Sequence, residues 1–266
     1  MSRLARGSVP AILAVLAWQP ISAGSASAQS TSLWPTQLGA ETLGGAAPYG
    51  NPISDDRTYV HGFVNQLEGR IGSGSYFRWD GQAWIGDDYN KLWLKSEGRY
   101  NAEGRGRVSD GDHELLYTRP LTTYFDMQVG VRSDIDSARN RTWAAFGVQG
   151  LAPGFWNVEG TVYASDAGHF ALKTNAFYDL YITQRLVLQP QFETNWYTKT
   201  DYARRVGSGL SDVDTGLRLR YDFTRKFSPY VGVTYQRFFG ETADLRKRDG
   251  NKTDDVRFVA GLQTWF

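Results

Sequence analysis

The chain of 266 residues contains no cysteine. Disulfides, thiolate metal sites and cysteine nucleophiles are therefore excluded, and packing and hydrogen bonds alone must hold the fold. It also lacks the run of about 20 apolar residues that a membrane-spanning helix needs, and its mean hydropathy is −0.45. Charge of either sign is not in excess: 29 basic against 28 acidic side chains leave a net charge of +1. No broad basic field exists for nucleic acid to exploit, so a nucleic-acid partner is not expected. Histidine is confined to His61, His113 and His169, and beyond Met1 the only methionine is Met127. What is plentiful is aromatic: Trp 9, Tyr 15 and Phe 14 make up 14% of the chain. A chain that is aromatic-rich yet hydrophilic needs an arrangement other than apolar helices.

Residues 1–28 carry the pattern of an export signal. Arg3 and Arg6 supply a positive start, Val9 to Trp18 an apolar core, and Ala26-Ser27-Ala28 a small-residue cleavage site. The apolar core is too short to span a bilayer. Export with cleavage would start the mature chain at Gln29. Residues 29–56 hold three of the nine prolines, several glycines and no periodicity, which reads as a periplasmic tail or linker. Residues 57–266 form the remaining domain.

From Thr58 onward the texture is strict alternation of period two, the mark of strands with one apolar and one polar face. Phe192, Thr194 and Trp196 alternate with Gln191, Glu193 and Asn195. Val213, Thr215, Leu217 and Leu219 alternate with Asp212, Asp214, Arg218 and Arg220. Phe77, Trp79, Ala83 and Ile85, then Leu92 and Leu94, form one face of a hairpin whose other face is Arg78, Asp80, Gln82, Lys95, Glu97 and Arg99. About twelve such segments are predicted, near 58–70, 75–86, 90–103, 111–120, 122–133, 141–152, 155–166, 168–181, 184–199, 210–224, 226–238 and 254–266. Their lengths suit strands that cross a membrane. Short connections (GDDYN, RPLT, LAPGF, ITQR, FTRKF) alternate with longer polar ones (AEGRGRVSDG, SDIDSARNR, TDYARRVGSG, GETADLRKRDGNKTDD). This asymmetry predicts an all-β fold, a transmembrane antiparallel β-barrel of about 12 strands in a Gram-negative outer membrane, with both termini periplasmic. A soluble two-sheet sandwich would share the alternation. It would not explain export, the loop asymmetry, the terminal Phe266 and the aromatic pairs at strand ends together.

The inward face then carries an ionisable set that includes Glu68, Arg70, Lys95, Glu97, Arg99, Arg119, Arg132, Lys173, Glu193, Asp214 and Arg218. Rings of charge can select ions in an open pore, and mutually paired charges can plug a narrow one. The near balance of signs favours the plug. Candidate metal ligands are His113 with Asp112 and Asp110 in SDGDHE, and His169 with Asp166 in SDAGH. Imidazole with carboxylate suits Cu(II) or Zn(II) better than Cu(I). The same Asp110-Asp112-His113 group is the one place that could serve hydrolysis, but no serine stands two residues from any histidine, so an enzyme is not expected. Basic loop residues, Arg105, Arg107, Arg139, Arg141, Arg204, Arg205, Arg246, Lys247 and Arg248, are expected to meet lipopolysaccharide phosphates and other outer-membrane lipid. The chain is expected to act as a monomer.

Five stretches together resemble the copper resistance protein B family: PISDDRTYVHGFVNQLEGR, WDGQAWIGDDYNKLWLKSEGR, ELLYTRPLTTYFDMQVGVRSD, GLAPGFWNVEGTVYASDAGHFALK and TQRLVLQPQFETN. The resemblance covers about residues 52 to 266. It implies an outer-membrane barrel that contributes to copper tolerance, by binding copper or by moving it across the outer membrane with periplasmic copper-handling proteins. Members often carry a Met- and His-rich segment ahead of the barrel, whereas residues 29–60 here contain neither residue. Any copper ligands then fall to the loop and lumen groups named above. The competing expectations are a general or anion-selective outer-membrane channel without a metal role, and a structural surface-binding barrel.

Overall fold

The computed structural model describes residues 58–101, 107–135, 140–165 and 168–266. The expected signal and tail, and the side chains of Asp110 and Asp166, lie outside the described residues.

Alternation of β-branched and aromatic residues with polar ones favours extended backbone, and here it yields thirteen strand segments: β1 (Tyr59–Ile71), β2 (Tyr76–Gly86), β3 (Lys91–Asn101), β4 (Arg107–Pro120), β5 (Phe125–Asp134), β6 (Arg141–Ala152), β7 (Trp156–Ser165), β8 (Phe170–Phe177), β9 (Leu180–Tyr181), β10 (Leu186–Tyr197), β11 (Gly209–Tyr221), β12 (Phe227–Phe238) and β13 (Asp254–Trp265). The short β8 and β9 both pair with β10, so together they occupy one place in the wall, interrupted at Tyr178 and Asp179. Each strand runs antiparallel to its neighbours, and β13 pairs with β1 to close a ring of twelve positions. Closure leaves no sheet edge, so every wall strand has a hydrogen-bonding partner on both sides, which is the condition for spanning lipid. No helix among the described residues is long and apolar enough to cross a membrane.

Burial is inverted relative to a soluble protein. The fully buried side chains include Glu68, Arg70, Gln128, Asp134 and Arg218, while Leu94, Val131, Phe146, Leu217, Val231 and Phe258 are exposed. The exposed apolar residues coat the outside and the charges fill the inside. Exposed Tyr89, Tyr124, Phe155, Tyr181, Phe223 and Phe266 mark the short-turn end, and Phe77, Tyr100, Phe170, Trp196 and Phe258 lie toward the long-loop end. These are the two aromatic girdles of a transmembrane barrel. Trp79 lies flat over Gly98 of the neighbouring strand, where a Cβ would come within 2.3 Å of its ring. That contact explains a glycine in the middle of the SEGR stretch. Both ends of the barrel chain meet at the short-turn end, where the Phe266 and Gly62 backbones exchange hydrogen bonds of 2.9 and 3.0 Å.

Expected and observed strands agree closely, with four corrections. The helix α1 (Gly240–Arg248) occupies part of what reads in sequence as a plain loop. Glu241 at its start and Arg246, Lys247 and Arg248 at its end complement the helix dipole. Next, β4 begins at Arg107, so Asp112 and His113 stand within a strand and not at its mouth. Arg119 is exposed on the outer face beside Met127, its cross-strand neighbour, and does not belong to the lumen set. Finally, Arg141 and Arg204 turn inward to Asp201 and Asp134, away from the lipid phosphates they were expected to meet.

Candidate functional site

The lumen is built by parity. Residues two apart on a strand share a face, so the inward positions of β1, β2, β10 and β11 bring Glu68, Arg70, Arg78, Glu193, Asp214 and Arg218 into one space. Glu68 accepts hydrogen bonds from Arg70 Nε at 2.7 Å, from Arg218 Nε and Nη2 at 3.0 Å each, and from the Tyr230 hydroxyl at 2.9 Å. Asp214 accepts from Arg70 Nη1 at 2.7 Å and from Arg78 Nη1 at 3.5 Å. Arg78 Nη2 reaches Glu193 at 2.8 Å. Since β2 and β10 are separated around the ring by β11, β12, β13 and β1, the Arg78–Glu193 pair crosses the lumen. Lys173 of β8 pairs with Glu97 of β3, a second crossing. Lys95 bonds Gln128, Gln149 and Glu159 at 2.9, 3.2 and 2.6 Å, filling the level toward the short turns. Trp84, Trp93 and Leu116 add apolar bulk there. The same parity places all three inside, since Trp84 shares a face with Gln82, Trp93 with Lys95 and Leu116 with Glu114.

Toward the long loops the lumen opens into a vestibule of about 320 Å³. Asp112, Asp134, His169, Asp201 and Arg204 line it, and Arg78 and Glu97 form its floor. Arg132 holds Asp112 at 2.8 Å and Asp134 at 2.7 Å. The segment from Thr198 to Ser208 folds inward over this space, tied by Arg204–Asp134 at 2.8 Å and Arg141–Asp201 at 2.6 Å. Helix α1 closes the same side: Thr242 Oγ1 accepts from the Gly207 backbone N–H at 2.8 Å. Glu241 takes hydrogen bonds from the Thr200 hydroxyl and the Ser208 backbone and side chain, which hold its carboxyl below the usual glutamate range.

The expected lumen residues Lys95, Glu97, Arg99, Glu193, Asp214 and Arg218 all lie inside the barrel, with Arg99 on the vestibule wall. The expected metal groups divide. Asp112 and His169 line the same vestibule. His113, one residue from Asp112, lies on the opposite face of β4, opposite the outward Ser96 and Ser133. Alternation therefore places His113 and Asp112 on opposite sides of the wall, and they do not converge on one ion. Among the described residues no three His, Asp or Glu side chains stand close enough to ligate one metal directly. His61 packs on Trp84 with ring centroids 4.9 Å apart, at the short-turn end. Parity signals Asp80 and Glu114 as inward carboxylates, but not that the fold leaves them without a direct ion pair among the described residues.

This barrel has recognisable relatives. A family model described as copper resistance protein B precursor matches residues 58–266. Copper resistance protein B of Escherichia coli is 39% identical over 218 residues, covering 82% of this chain and 73% of that protein. The copper resistance protein B homolog of Pseudomonas syringae pv. tomato shows the same identity and coverage. The chain belongs to the copper resistance protein B family. Its role is in copper resistance, and its barrel sits in the outer membrane. Among solved structures, the NanC porin shares the fold with a TM-score of 0.51 at 12% identity, over 76% of this chain and 98% of that one. A KdgM porin in complex with disordered oligogalacturonate is similar at a TM-score of 0.49 and 14% identity, over 77% of this chain and 99% of that one.

Proposed function

We propose that this member of the family contributes to copper tolerance by holding copper ions inside a lumen that its own ion pairs keep closed to free diffusion, and by exchanging them with periplasmic copper-handling proteins. The observation that carries this reading is the pair of crossings, Arg78–Glu193 and Lys173–Glu97, at the floor of a vestibule that also presents Asp112 and His169. A lumen crossed by buried ion pairs disfavours steady conduction, and carboxylate and imidazole oxygen and nitrogen donors suit Cu(II). The reading is non-enzymatic: the Asp112–His113 pair that could serve hydrolysis is split across the wall. A monomer is consistent with it, since the ring closes within one chain and leaves no strand edge through which a second copy could pair. The exposed Arg205 and Lys247, paired within the chain only with Asp249 and Asp244 among the described residues, support an approach of lipopolysaccharide phosphates at the long-loop end.

The anion-selective channel is the second reading, favoured by the arginines Arg99, Arg132, Arg141, Arg204 and Arg246 around the vestibule. One pair of measurements separates the two. The protein folded in detergent is assayed for bound copper after dialysis against buffered Cu(II), and the same preparation is inserted in planar bilayers. Bound copper with little steady current supports the copper reading. Open-channel, anion-selective current that is indifferent to copper, with no bound metal, replaces it with the channel.

A further inference from the structure

Deeper than the vestibule, and sharing Glu97 and Asp112 with it, lies a second cavity of about 90 Å³, large enough for several water molecules. Its lining is strongly one-signed: Asp80, Glu97, Asp112, Glu114 and Glu159 against Lys95 and Lys173. Three of the carboxylates are answered. Glu97 pairs with Lys173, Glu159 with Lys95 at 2.6 Å, and Asp112 with Arg132 at 2.8 Å. Two are not. Asp80 takes one hydrogen bond of 3.3 Å from Asn65 Nδ2, and Glu114 takes one of 2.6 Å from the Tyr163 hydroxyl. Neither makes a direct ion pair among the described residues; Arg78 and Lys173 act on Asp80, and Arg132 and Lys95 on Glu114, from farther away.

A separate observation points the same way. Thr161, on the same cavity wall, is 1% exposed, and its Oγ1 has no hydrogen-bond partner among the described residues. Its strand neighbour Val162 faces outward, so the hydroxyl is on the lumen side. Opposite it, Gly147 keeps the space clear, because a Cβ there would stand 2.5 Å from that oxygen. A buried hydroxyl is seldom left without a partner, and buried carboxylates without a counter-charge are costly. One occupant satisfies all three groups: a positive ion carrying water.

We infer that this chamber is a binding site for a partly hydrated divalent cation, held by the carboxylates of Asp80 and Glu114 with Glu159 and the Thr161 hydroxyl beside it. The carboxylates are too dispersed for direct ligation by three of them, so part of the contact passes through the ion's water shell, as it does for hard cations generally. Cu(II) is the most tightly bound of the first-row divalent ions at oxygen and nitrogen sites, and it is the cargo if the copper reading above holds. The chamber itself is argued from oxygen ligands and charge alone. Its shared wall with the vestibule makes Lys173–Glu97 and Arg132–Asp112 the pairs that a passing ion would have to part.

The test uses the full barrel folded in detergent, titrated with CuCl₂ and examined by electron paramagnetic resonance. The wild type is expected to show one Cu(II) with an all-oxygen signature at the chamber, distinct from a nitrogen-ligated signal at the vestibule. The Asp80→Asn, Glu114→Gln double variant keeps both existing hydrogen bonds and removes only the charge, and should bind at least about tenfold more weakly. His113→Ala and His169→Ala should keep the all-oxygen signal at wild-type affinity. Heat-modifiable migration on a gel confirms folding of each variant. If the double variant does not fold, Glu114→Gln alone carries the test, with about a threefold loss expected. Unchanged affinity in the folded carboxylate variant overturns the chamber. Nitrogen-ligated copper with no all-oxygen signal, lost only with His169, overturns the chamber while leaving the copper reading standing, and no copper bound by the wild type overturns both.

Discussion

On the side of the lumen formed by β1, β2, β10 and β11, Glu68, Glu193 and Asp214 face Arg70, Arg78 and Arg218, and each charge is engaged at 2.7 to 3.0 Å by at least one partner of opposite sign. Farther along the lumen, Asp80 of β2 and Glu114 of β4 accept one hydrogen bond each, from an amide and a phenol, and make no direct ion pair among the described residues. Both regions are buried and lined by carboxylates, and both are held by strands of the same wall. The difference is charge balance. A balanced lattice is complete without a ligand, and its crossings make it a structural brace and a plug. An acidic chamber is complete only with something positive in it. Equal burial with unequal compensation separates the part of a polar interior that holds the barrel together from the part that is available for an ion.

The comparison is broken most severely at Glu68, which is fully buried and accepts from two arginines and a tyrosine. Glu68→Met leaves both guanidinium groups facing an apolar side chain. Removing one partner of a buried pair typically costs about 3–5 kcal/mol, so urea unfolding in detergent should show a loss of that size. A loss under about 1 kcal/mol would mean that the lattice is solvated and not a brace. Next in size is the plug itself. Arg78→Ala together with Glu193→Ala removes both members of one crossing and leaves no orphaned charge of that pair. Conductance in planar bilayers should rise severalfold while the barrel stays folded, and unchanged conductance would place the constriction elsewhere, at the Trp84, Trp93 and Leu116 level.

Much of this architecture is legible from alternation. The parity of Lys95, Glu97 and Arg99 against Leu94 assigns inside and outside before any coordinates, because strand side chains can only alternate and lipid tolerates only one of the two faces. Parity fails where the strand is irregular or near its end. The register shift between Val64 and Gln66 brings His61 and Trp84 together in a way that strict alternation does not foresee. The split of Asp112 from His113 is readable, since both fall inside the segment 111–120 and adjacent strand residues must diverge. Partnership was not readable. Which inward carboxylate meets which arginine depends on ring closure and shear, which place Arg78 of β2 opposite Glu193 of β10, 115 residues away. The isolation of Asp80 and Glu114 follows from the same closure and leaves no local sequence mark. Nor does the helix α1, whose composition is that of a polar loop.

A milder change sharpens the contrast from the acidic side. The Asp80→Asn, Glu114→Gln variant removes charge that no cationic side chain contacts directly, so in metal-free buffer its stability should lie within about 1 kcal/mol of the wild type or above it. This contrasts with the large loss at Glu68→Met, although all three residues are lumen carboxylates. Urea unfolding in the presence of a chelator makes the comparison directly. A destabilisation matching that of Glu68→Met would mean that the chamber carboxylates brace the wall after all, and would remove the distinction between the two regions.

The smallest expected effect lies outside the membrane, at the helix that covers the vestibule. Glu241 is held below the usual glutamate range by the Thr200 hydroxyl first and then the Ser208 backbone N–H. A carboxyl with a depressed folded value contributes its stabilisation fully above the ordinary glutamate range and loses it as pH falls through the folded value. Protonation there weakens the ties between α1 and the Thr198 to Ser208 segment, so acid should loosen the vestibule cover before the barrel wall, whose hydrogen-bonded ring has no such dependence on this group. Hydrogen exchange of residues 240–248, corrected for intrinsic rate, should speed up on acidification in the wild type. In Glu241→Gln it should already be faster at neutral pH and change little with acid. If both proteins respond alike, Glu241 is not the group that fastens the cover. The ties Arg141–Asp201 and Arg204–Asp134, which hold the same segment from the lumen side, are then its main fastening.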